Sequence, residues 1–306
     1  MANEIKYSGL GDLRLAETLN REVLLALADR NVLQNHPALL YVGDATMTGS
    51  TVIKTSEIAW DGATQLASTA ESASPANTAL VDASHQVTVA RYSKQYQVTG
   101  LASITDSLGM FNNPAFWAQD SVMSAGMTMT NLIAALVGGF ATIKGSTGVN
   151  LTLAQYFDAL SALELANVQG DKMAVLHPVQ WQDLQTALRA ESGTVFAYNA
   201  ATPEQISVRG NSYKGQIYGA DVFVSAQVPT SGGGADRAGG VFGKGAIGWA
   251  DATPIIDSSA DALIAGKTLV AMEYDASSDQ KKVVTSAYMG VSELIDLAGV
   301  SIISDA

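Results

Sequence analysis

The stretch "KMAVLHPVQWQDLQTAL", residues 172–188, decides how the second half of this chain is interpreted. Ala174 to Leu176 has the apolar composition expected at the end of a buried strand. Pro178 suits the first turn of a helix, because a proline there loses no hydrogen bond. The packed face of that helix is predicted from apolar residues at spacings of three and four: Trp181, Leu184 and Leu188. The stretch therefore predicts a strand that passes into a helix, with His177 at the helix cap.

His177 also has a catalytic interpretation, because Asp183 follows it closely and a histidine at the end of a strand can act as a base. Asp183 is two positions from Trp181, so it lies on a different face of the predicted helix. No G-x-S-x-G motif occurs in the chain. A Ser–His–Asp set assembled by the fold stays open as an alternative, which would make the chain a soluble hydrolase. We interpret His177 as a structural joint instead.

The composition indicates a folded chain with much of its surface covered. Of the 306 residues, 47% are apolar and 15% are charged, which excludes wholesale disorder. So low a charged fraction suggests that subunit contacts cover part of the surface. The net charge of −12 should repel phosphate backbones, so sequence-specific nucleic-acid binding is not expected. The chain has no cysteine, which excludes disulfides, thiolate zinc sites and cysteine nucleophiles.

Neither a signal peptide nor a membrane span is predicted. The segment "MANEIKYSGLGDL" at the start has no apolar signal region. The longest apolar stretch, Leu132 to Ile143, is shorter than the ~20 residues that a helix needs to cross a bilayer. We expect a soluble protein that is made in the cytoplasm and has no membrane partner.

Two glycine patterns resemble nucleotide-binding motifs, but neither has the required context. "GKGAIG", Gly243 to Gly248, should open a helix for a dinucleotide, and Pro254 follows soon after instead. "GKT", Gly266 to Thr268, ends like a P-loop, yet Asp261 stands where the first glycine belongs. The histidines lack an i,i+4 partner and each stands alone in the sequence: His36, His85 and His177. We predict no catalytic, cofactor-binding or metal-binding residues.

The first half of the chain predicts an arm, a hairpin and a long helix. Residues 10–30 have apolar positions at helical spacing. Residues 51–60 and 86–99 are β-rich and are joined by the polar connection Asp61 to Ser84. So long a connection is unusual inside a compact domain and suggests a projecting hairpin arm that orders against something else. From Pro114 to about Val137 the apolar spacing predicts one long helix.

The second half predicts a helix followed by many strands. Thr152 and Gln155 have the spacing of a capping box and start the helix. The glycine-rich segment Thr230 to Gly240 is predicted to be a mobile loop. "DASSDQ", Asp275 to Gln280, is predicted to be the turn of a hairpin between two long strands.

Three strings and the order of the parts resemble the major capsid proteins of tailed phages with the Hong Kong ninety-seven type fold. The strings are "AVLHPVQWQDLQ" at 174–185, "VRGNSYKGQIYGADVFVSAQVP" at 208–229 and the closing "KKVVTSAYMGVSELIDLAGVSIISDA" at 281–306. The resemblance implies an α+β capsid fold. Its implied parts are an N-terminal arm over 1–44, an extended E-loop hairpin over 45–100, a P-domain with a long spine helix over 101–149, an A-domain over 150–265 and C-terminal strands over 266–306 that return to the P-domain.

The same resemblance implies a structural protein and not an enzyme. Copies would assemble as pentamers and hexamers into an icosahedral shell around phage double-stranded DNA, which is packaged without sequence-specific contact. The implied location is the virion capsid, assembled in the host cytoplasm, and the implied partners are a separate scaffolding protein, a portal and a decoration protein. Some members carry a lysine–asparagine crosslink, but no motif assigns that role to Lys54 or Lys94. An encapsulin-type compartment shell on the same fold is the alternative.

Overall fold

A computed structural model describes residues 4–5, 33–58, 68–69, 71–72, 74, 82–106, 109, 111, 113–190, 198–231, 234, 236–255, 262–265 and 267–305. Across these residues the strands form two large sheets and one separate two-stranded ribbon. The helix predicted over residues 10–30 lies outside the described residues.

The first large sheet is organised around one long strand. Its members are β1 (Glu4–Ile5), β2 (Leu40–Asp44), β5 (Ala90–Thr99), β13 (Ile247–Ala252), β14 (Ala262–Ala265), β15 (Thr268–Asp275) and β16 (Gln280–Glu293). β16 pairs antiparallel with β5, with β15 and, further along, with β13. Asp275 lies opposite Gln280, so the predicted hairpin turn between β15 and β16 is confirmed.

The second large sheet has an interior strand that is apolar and buried from Met173 to Leu176. Its members are β6 (Ile143–Gly145), β7 (Lys172–Leu176), β8 (Tyr198–Ala200), β9 (Tyr213–Ile217), β10 (Ala220–Val224), β11 (Thr230–Ser231), β12 (Asp236–Gly243) and β17 (Gly299–Asp305). β7 lies between β12, which runs antiparallel to it, and β10, which runs parallel to it. Alternate residues of β7 enter two different cores, since Met173 packs on one face and Ala174 on the other. Burial on both faces explains its continuous apolar run.

The two-stranded ribbon is a hairpin formed by β3 (Val52–Ile58) and β4 (Asp82–Thr88). Its base belongs to the body of the protein, because Val87 packs in a cluster with Ala250 and Leu294. The strand predicted over 86–99 is divided into β4 and β5 at Val89. The backbone N–H of Val89 donates to the carbonyl of Thr51 and its side chain is buried, which turns the chain from the hairpin into the first sheet.

Five α-helices are described, together with two short 3-10 segments at Leu33–Asn35 and Asp296–Ala298. The helices are α1 (Gly100–Thr105), α2 (Pro114–Val137), α3 (Leu153–Leu165), α4 (Pro178–Ala190) and α5 (Pro203–Arg209). α2 has the bounds that the sequence predicts. α3 begins at the predicted capping box, in which the side chains of Thr152 and Gln155 each accept from the other residue's backbone N–H.

The helices cover the sheets at two cores. The C-terminal half of α2 buries Ile133 and Val137 with residues of both large sheets, among them Phe242 and Ile247. On the other face of the second sheet, α3 and α4 pack together over the strands, with Tyr156 and Leu184 fully buried there. α2 therefore packs against both sheets in one shared core.

The segment Thr230 to Gly240 is not a loop throughout, so that prediction is wrong in part. β11 and the first half of β12 lie within it, and Gly239 and Gly240 are buried in β12. A Cβ atom at Gly240 would lie 2.4 Å from the carbonyl oxygen of Val300 and 2.9 Å from a methyl of Val137. Gly240 therefore permits close approach of α2 and β17 to the strand, and glycine composition alone does not distinguish this from flexibility.

Candidate functional site

His177 is the N-cap of α4. Its ring Nδ1 accepts from the N–H of Val179 at 3.3 Å, and its carbonyl accepts from the N–H of Trp181 at 2.9 Å. Burial, with a smaller contribution from the charge of Arg237, lowers the pKa of His177. A neutral ring is the form that can accept at Nδ1. The predicted position of His177 at the cap of the helix is confirmed.

Asp183 lies on the same helix and links it to the segment before α3. Its carboxylate accepts from the side-chain amide of Asn150 and from the backbone N–H of Leu151, each at 3.3 Å. These bonds hold the segment that leads into α3 against α4. Asp183 therefore does not orient His177, whose Nδ1 is already occupied by Val179.

Gln180 is the centre of this joint, and the sequence did not single it out. Its side chain is fully buried. Its Oε1 accepts from the N–H of His177 at 3.0 Å, which completes the cap. Its Nε2 donates toward three acceptors between 3.0 and 3.2 Å away: Arg237 O, Ile302 O and Ser304 Oγ. One amide thus fastens the start of α4 to β12 and β17.

Gln180→Ala is expected to lower the free energy of unfolding by about 2–3 kcal/mol, because it leaves buried donors and acceptors without partners. Urea denaturation of the unassembled subunit measures the change. Gln182→Ala on the same helix is the matched control, since Gln182 is exposed and its loss should cost less than about 0.5 kcal/mol. Equal stability of the two variants would contradict the role of Gln180.

His36, which stands alone in the sequence, forms a buried pair in the fold with a residue 185 positions away. Its Nε2 lies 2.9 Å from Asp221 Oδ2, and its Nδ1 accepts from the N–H of Ala38 at 3.1 Å. The proton of the neutral ring is therefore on Nε2, facing the carboxylate. The ring edge also meets Phe223, with centroids 5.5 Å apart.

Asp221 has two further partners. Arg209 forms an ion pair with the same carboxylate oxygen, and the hydroxyl of Tyr213 donates to the other oxygen at 3.2 Å. Burial alone would raise the pKa of Asp221, but the hydrogen bond from His36 and the charge of Arg209 outweigh it and hold the pKa below its ordinary value. We call His36, Arg209, Tyr213 and Asp221 the Asp221 network. It joins the segment before β2 to α5, β9 and β10.

The Asp221 network is a poor general base. In a Ser–His–Asp set the histidine nitrogen that faces away from the carboxylate must be free to take the nucleophile's proton. In this chain that nitrogen is Nδ1 of His36, and the N–H of Ala38 occupies it. The carboxylate of Asp221 is shared with Arg209, whose charge makes the pair a structural anchor.

The two glycine patterns lie in strand contexts, as the sequence analysis expects. "GKGAIG" connects β12 directly to β13, so no helix N-terminus is available for a pyrophosphate. Lys267 precedes β15, and its ammonium forms an ion pair with Asp251 at 2.5 Å. Among the described residues no group of three or more His, Cys, Asp or Glu side chains could hold a metal ion. Of the described helices, none is long and apolar enough to cross a membrane.

The lysines near the hairpin have different surroundings. Lys54 is exposed on β3, opposite Gln86 of β4. Lys94 forms an ion pair with Asp120 at 2.6 Å and therefore links β5 to α2. Nothing in either contact assigns a crosslink.

Large apolar side chains are exposed at several separate places on the described surface. The most exposed are Met47, Ile104, Leu165, Val208 and Leu297. They lie on the turn before the hairpin, on α1, α3 and α5 and on the last 3-10 segment. Such side chains cost free energy in water and are suited to burial at contacts with other molecules.

No model of a known protein family matches the sequence, and no curated protein matches it. Solved structures of phage capsids match nearly the whole chain. The capsid structure of Cyanophage P-SCSP1u has a TM-score of 0.63 at 12% identity, over 95% of this chain and 93% of that chain. The mature capsid of bacteriophage PhiM1 has a TM-score of 0.60 at 10% identity, over 94% and 91%. The capsid of Ralstonia phage GP4 has a TM-score of 0.59 at 10% identity, over 100% and 98%.

These likenesses establish the fold. The chain has the α+β fold of phage capsid proteins, and the fold that the sequence resemblance implies is confirmed. The match extends over nearly the whole of both chains.

Proposed function

We propose that this chain is the major capsid protein of a tailed phage, and that its copies assemble as pentamers and hexamers into an icosahedral shell around double-stranded DNA. The observation that carries the proposal is the end-to-end likeness to phage capsid structures. His36 and His177 also support it, because Nδ1 of each ring accepts a structural hydrogen bond from a backbone N–H. The proposed role is structural, without catalytic, cofactor-binding or metal-binding residues.

The parts of the chain have proposed roles in the shell. The β3–β4 hairpin is the E-loop, the first sheet with α2 is the P-domain, and the second sheet with α3 and α4 is the A-domain. The boundaries 1–44, 45–100, 101–149, 150–265 and 266–306 remain a working division. The sheets do not follow these boundaries. β13 and β14, within 150–265, belong to the first sheet, and β17, within 266–306, belongs to the second.

The partners follow from the same role. A separate scaffolding protein, a portal and a decoration protein are proposed, with assembly in the host cytoplasm and a final location in the virion. The packaged DNA is held without sequence-specific contact. The net charge of −12 supports this, because an acidic lining does not trap the nucleic acid.

Expression of the full chain, alone and with candidate scaffolding proteins, tests the proposal. Negative-stain electron microscopy and sedimentation are expected to show closed shells or capsomers. A strict monomer under every assembly condition would contradict the proposal. The contents of native particles separate the phage reading from the encapsulin alternative: packaged DNA supports the phage capsid, and a cargo enzyme supports the compartment. An activity that His36→Ala or His177→Ala abolishes in a soluble monomer would favour the hydrolase.

A further inference from the structure

A cleft of about 170 Å³ lies between α2 and the first sheet. Its walls come from α2, β5 and β16, and they combine hydroxyl groups with the apolar side chains of Ala125, Ala287 and Met289. The cleft is separate from the Asp221 network and from the joint at His177. Nothing in the proposed shell function requires it.

Two hydroxyls in this cleft are deeply buried and have no hydrogen-bond partner among the residues that the structure describes. Ser121 on α2 is 0% exposed and Thr285 on β16 is 5% exposed. Neither Ser121 Oγ nor Thr285 Oγ1 has a hydrogen-bond partner in the described part of the chain. A buried hydroxyl without any partner costs about 1–3 kcal/mol, so two of them in one cleft indicate a ligand that can donate and accept.

The positive charge in the cleft is already balanced. The ammonium of Lys94 forms an ion pair with Asp120 at 2.6 Å and donates to the hydroxyls of Tyr96, at 3.0 Å, and of Ser124. The hydroxyls of Ser124 and Thr128 donate to carbonyls one turn earlier in α2. The cleft therefore offers no free positive charge, which disfavours an anion and favours a small neutral ligand.

We infer that the cleft is an internal hydration site, in which ordered waters bridge the hydroxyls of Ser121 and Thr285 across the interface between α2 and β16. Water supplies both a donor and an acceptor to each hydroxyl, and the volume is sufficient for several molecules. Near Ser121, α2 and the first sheet are thus linked through water. Further along α2, Ile133 and Val137 link them by direct packing.

The sign of the stability change on Thr285→Val tests the inference in the full-length chain. If waters bridge the hydroxyls, valine deprives them of a partner and the midpoint of thermal unfolding falls by roughly 2 to 4 °C. If the hydroxyl has no partner at all, valine removes a buried unsatisfied group and the midpoint rises. Thr130→Val is the matched control, because Thr130 is also buried but its hydroxyl donates to the carbonyl of Gly126 within α2.

A double variant and a density map complete the test. Ser121→Ala combined with Thr285→Val is expected to lower the midpoint by less than the sum of the two single shifts, because both hydroxyls share the same waters. A map at a resolution that shows solvent is expected to contain density about 3 Å from both hydroxyls. A midpoint for Thr285→Val at or above that of the parent chain would overturn the inference, and so would a lowered midpoint without such density.

Discussion

Subunits in which residues 56–84 are replaced by Asn-Gly are expected to fold but not to close into shells. Thr55 and His85 lie directly opposite each other in the β3–β4 hairpin, so a two-residue turn can join them without moving either strand. The deletion spares Ile53 and Val87, which pack in the cluster at the base of the hairpin. It therefore removes the projecting part and leaves the body intact.

The physical reason for the expected loss is that the hairpin cannot bury its own faces. In the described part of the chain, β3 and β4 form a sheet of two strands only, which is marginally stable by itself in water. Above the base, Ser56, Ala83, Ser84 and Gln86 are exposed. A projecting ribbon of this kind gains stability when it lies on another subunit, and the shell loses that contact when the ribbon is removed.

Electron microscopy counts closed shells, and thermal unfolding of the unassembled subunit confirms that the body still folds. The control variant replaces only 62–79 with a Gly-Ser linker of equal length, which keeps every β3–β4 pair. We expect at least a tenfold loss of closed shells from the Asn-Gly variant and a smaller loss from the control. If the Asn-Gly variant forms normal shells, the hairpin is not needed for assembly. The proposed capsid function would then still be tested by the other experiments.

Local signals in the sequence predicted the elements that local physics determines. Pro114 marks the start of α2, and the capping box at Thr152 marks the start of α3, because both act through the backbone of the adjacent turn. The strand-to-helix joint at His177 belongs to the same class. The capsid fold was predictable because these local elements occur in a characteristic order along nearly the whole chain.

Features that depend on partners far away in the sequence were not predictable. The pairing of His36 with Asp221 spans 185 positions, and no spacing rule connects the two. The sequence shows that Gln180 lies three residues after the helix cap. Its burial, however, depends on contacts with β12 and β17, which are distant in the sequence. The same limit applies to Gly240, whose role depends on the approach of Val137 and Val300.

Asp221→Ala is expected to lower the free energy of unfolding by about 2–4 kcal/mol, chiefly because it leaves His36 buried without its acceptor, while water can partly replace the counter-charge of Arg209, whose side chain is 39% exposed. Urea denaturation of the unassembled subunit at pH 7 measures the loss. Asp221→Asn should cost less, since the amide oxygen can still accept from Tyr213 or His36. Asp183→Ala is the control, because it also removes an aspartate that accepts two hydrogen bonds, but at a less buried position.

The pH dependence of the stability loss in Asp221→Ala shows whether the loss comes from the charge of the Asp221 network or from lost packing. The pKa of Asp221 is lowered in the folded state, so its contribution is present above the ordinary carboxyl pKa of about 4 and is lost as the pH falls through the lower folded value. The stability difference between the parent chain and Asp221→Ala should therefore be constant from pH 7 to about pH 5 and shrink below pH 4. A difference that persists unchanged at pH 3 would mean that the carboxylate charge is not what anchors His36 and Arg209. In that case the segment before β2 would be held to the second sheet by packing against Phe223 instead.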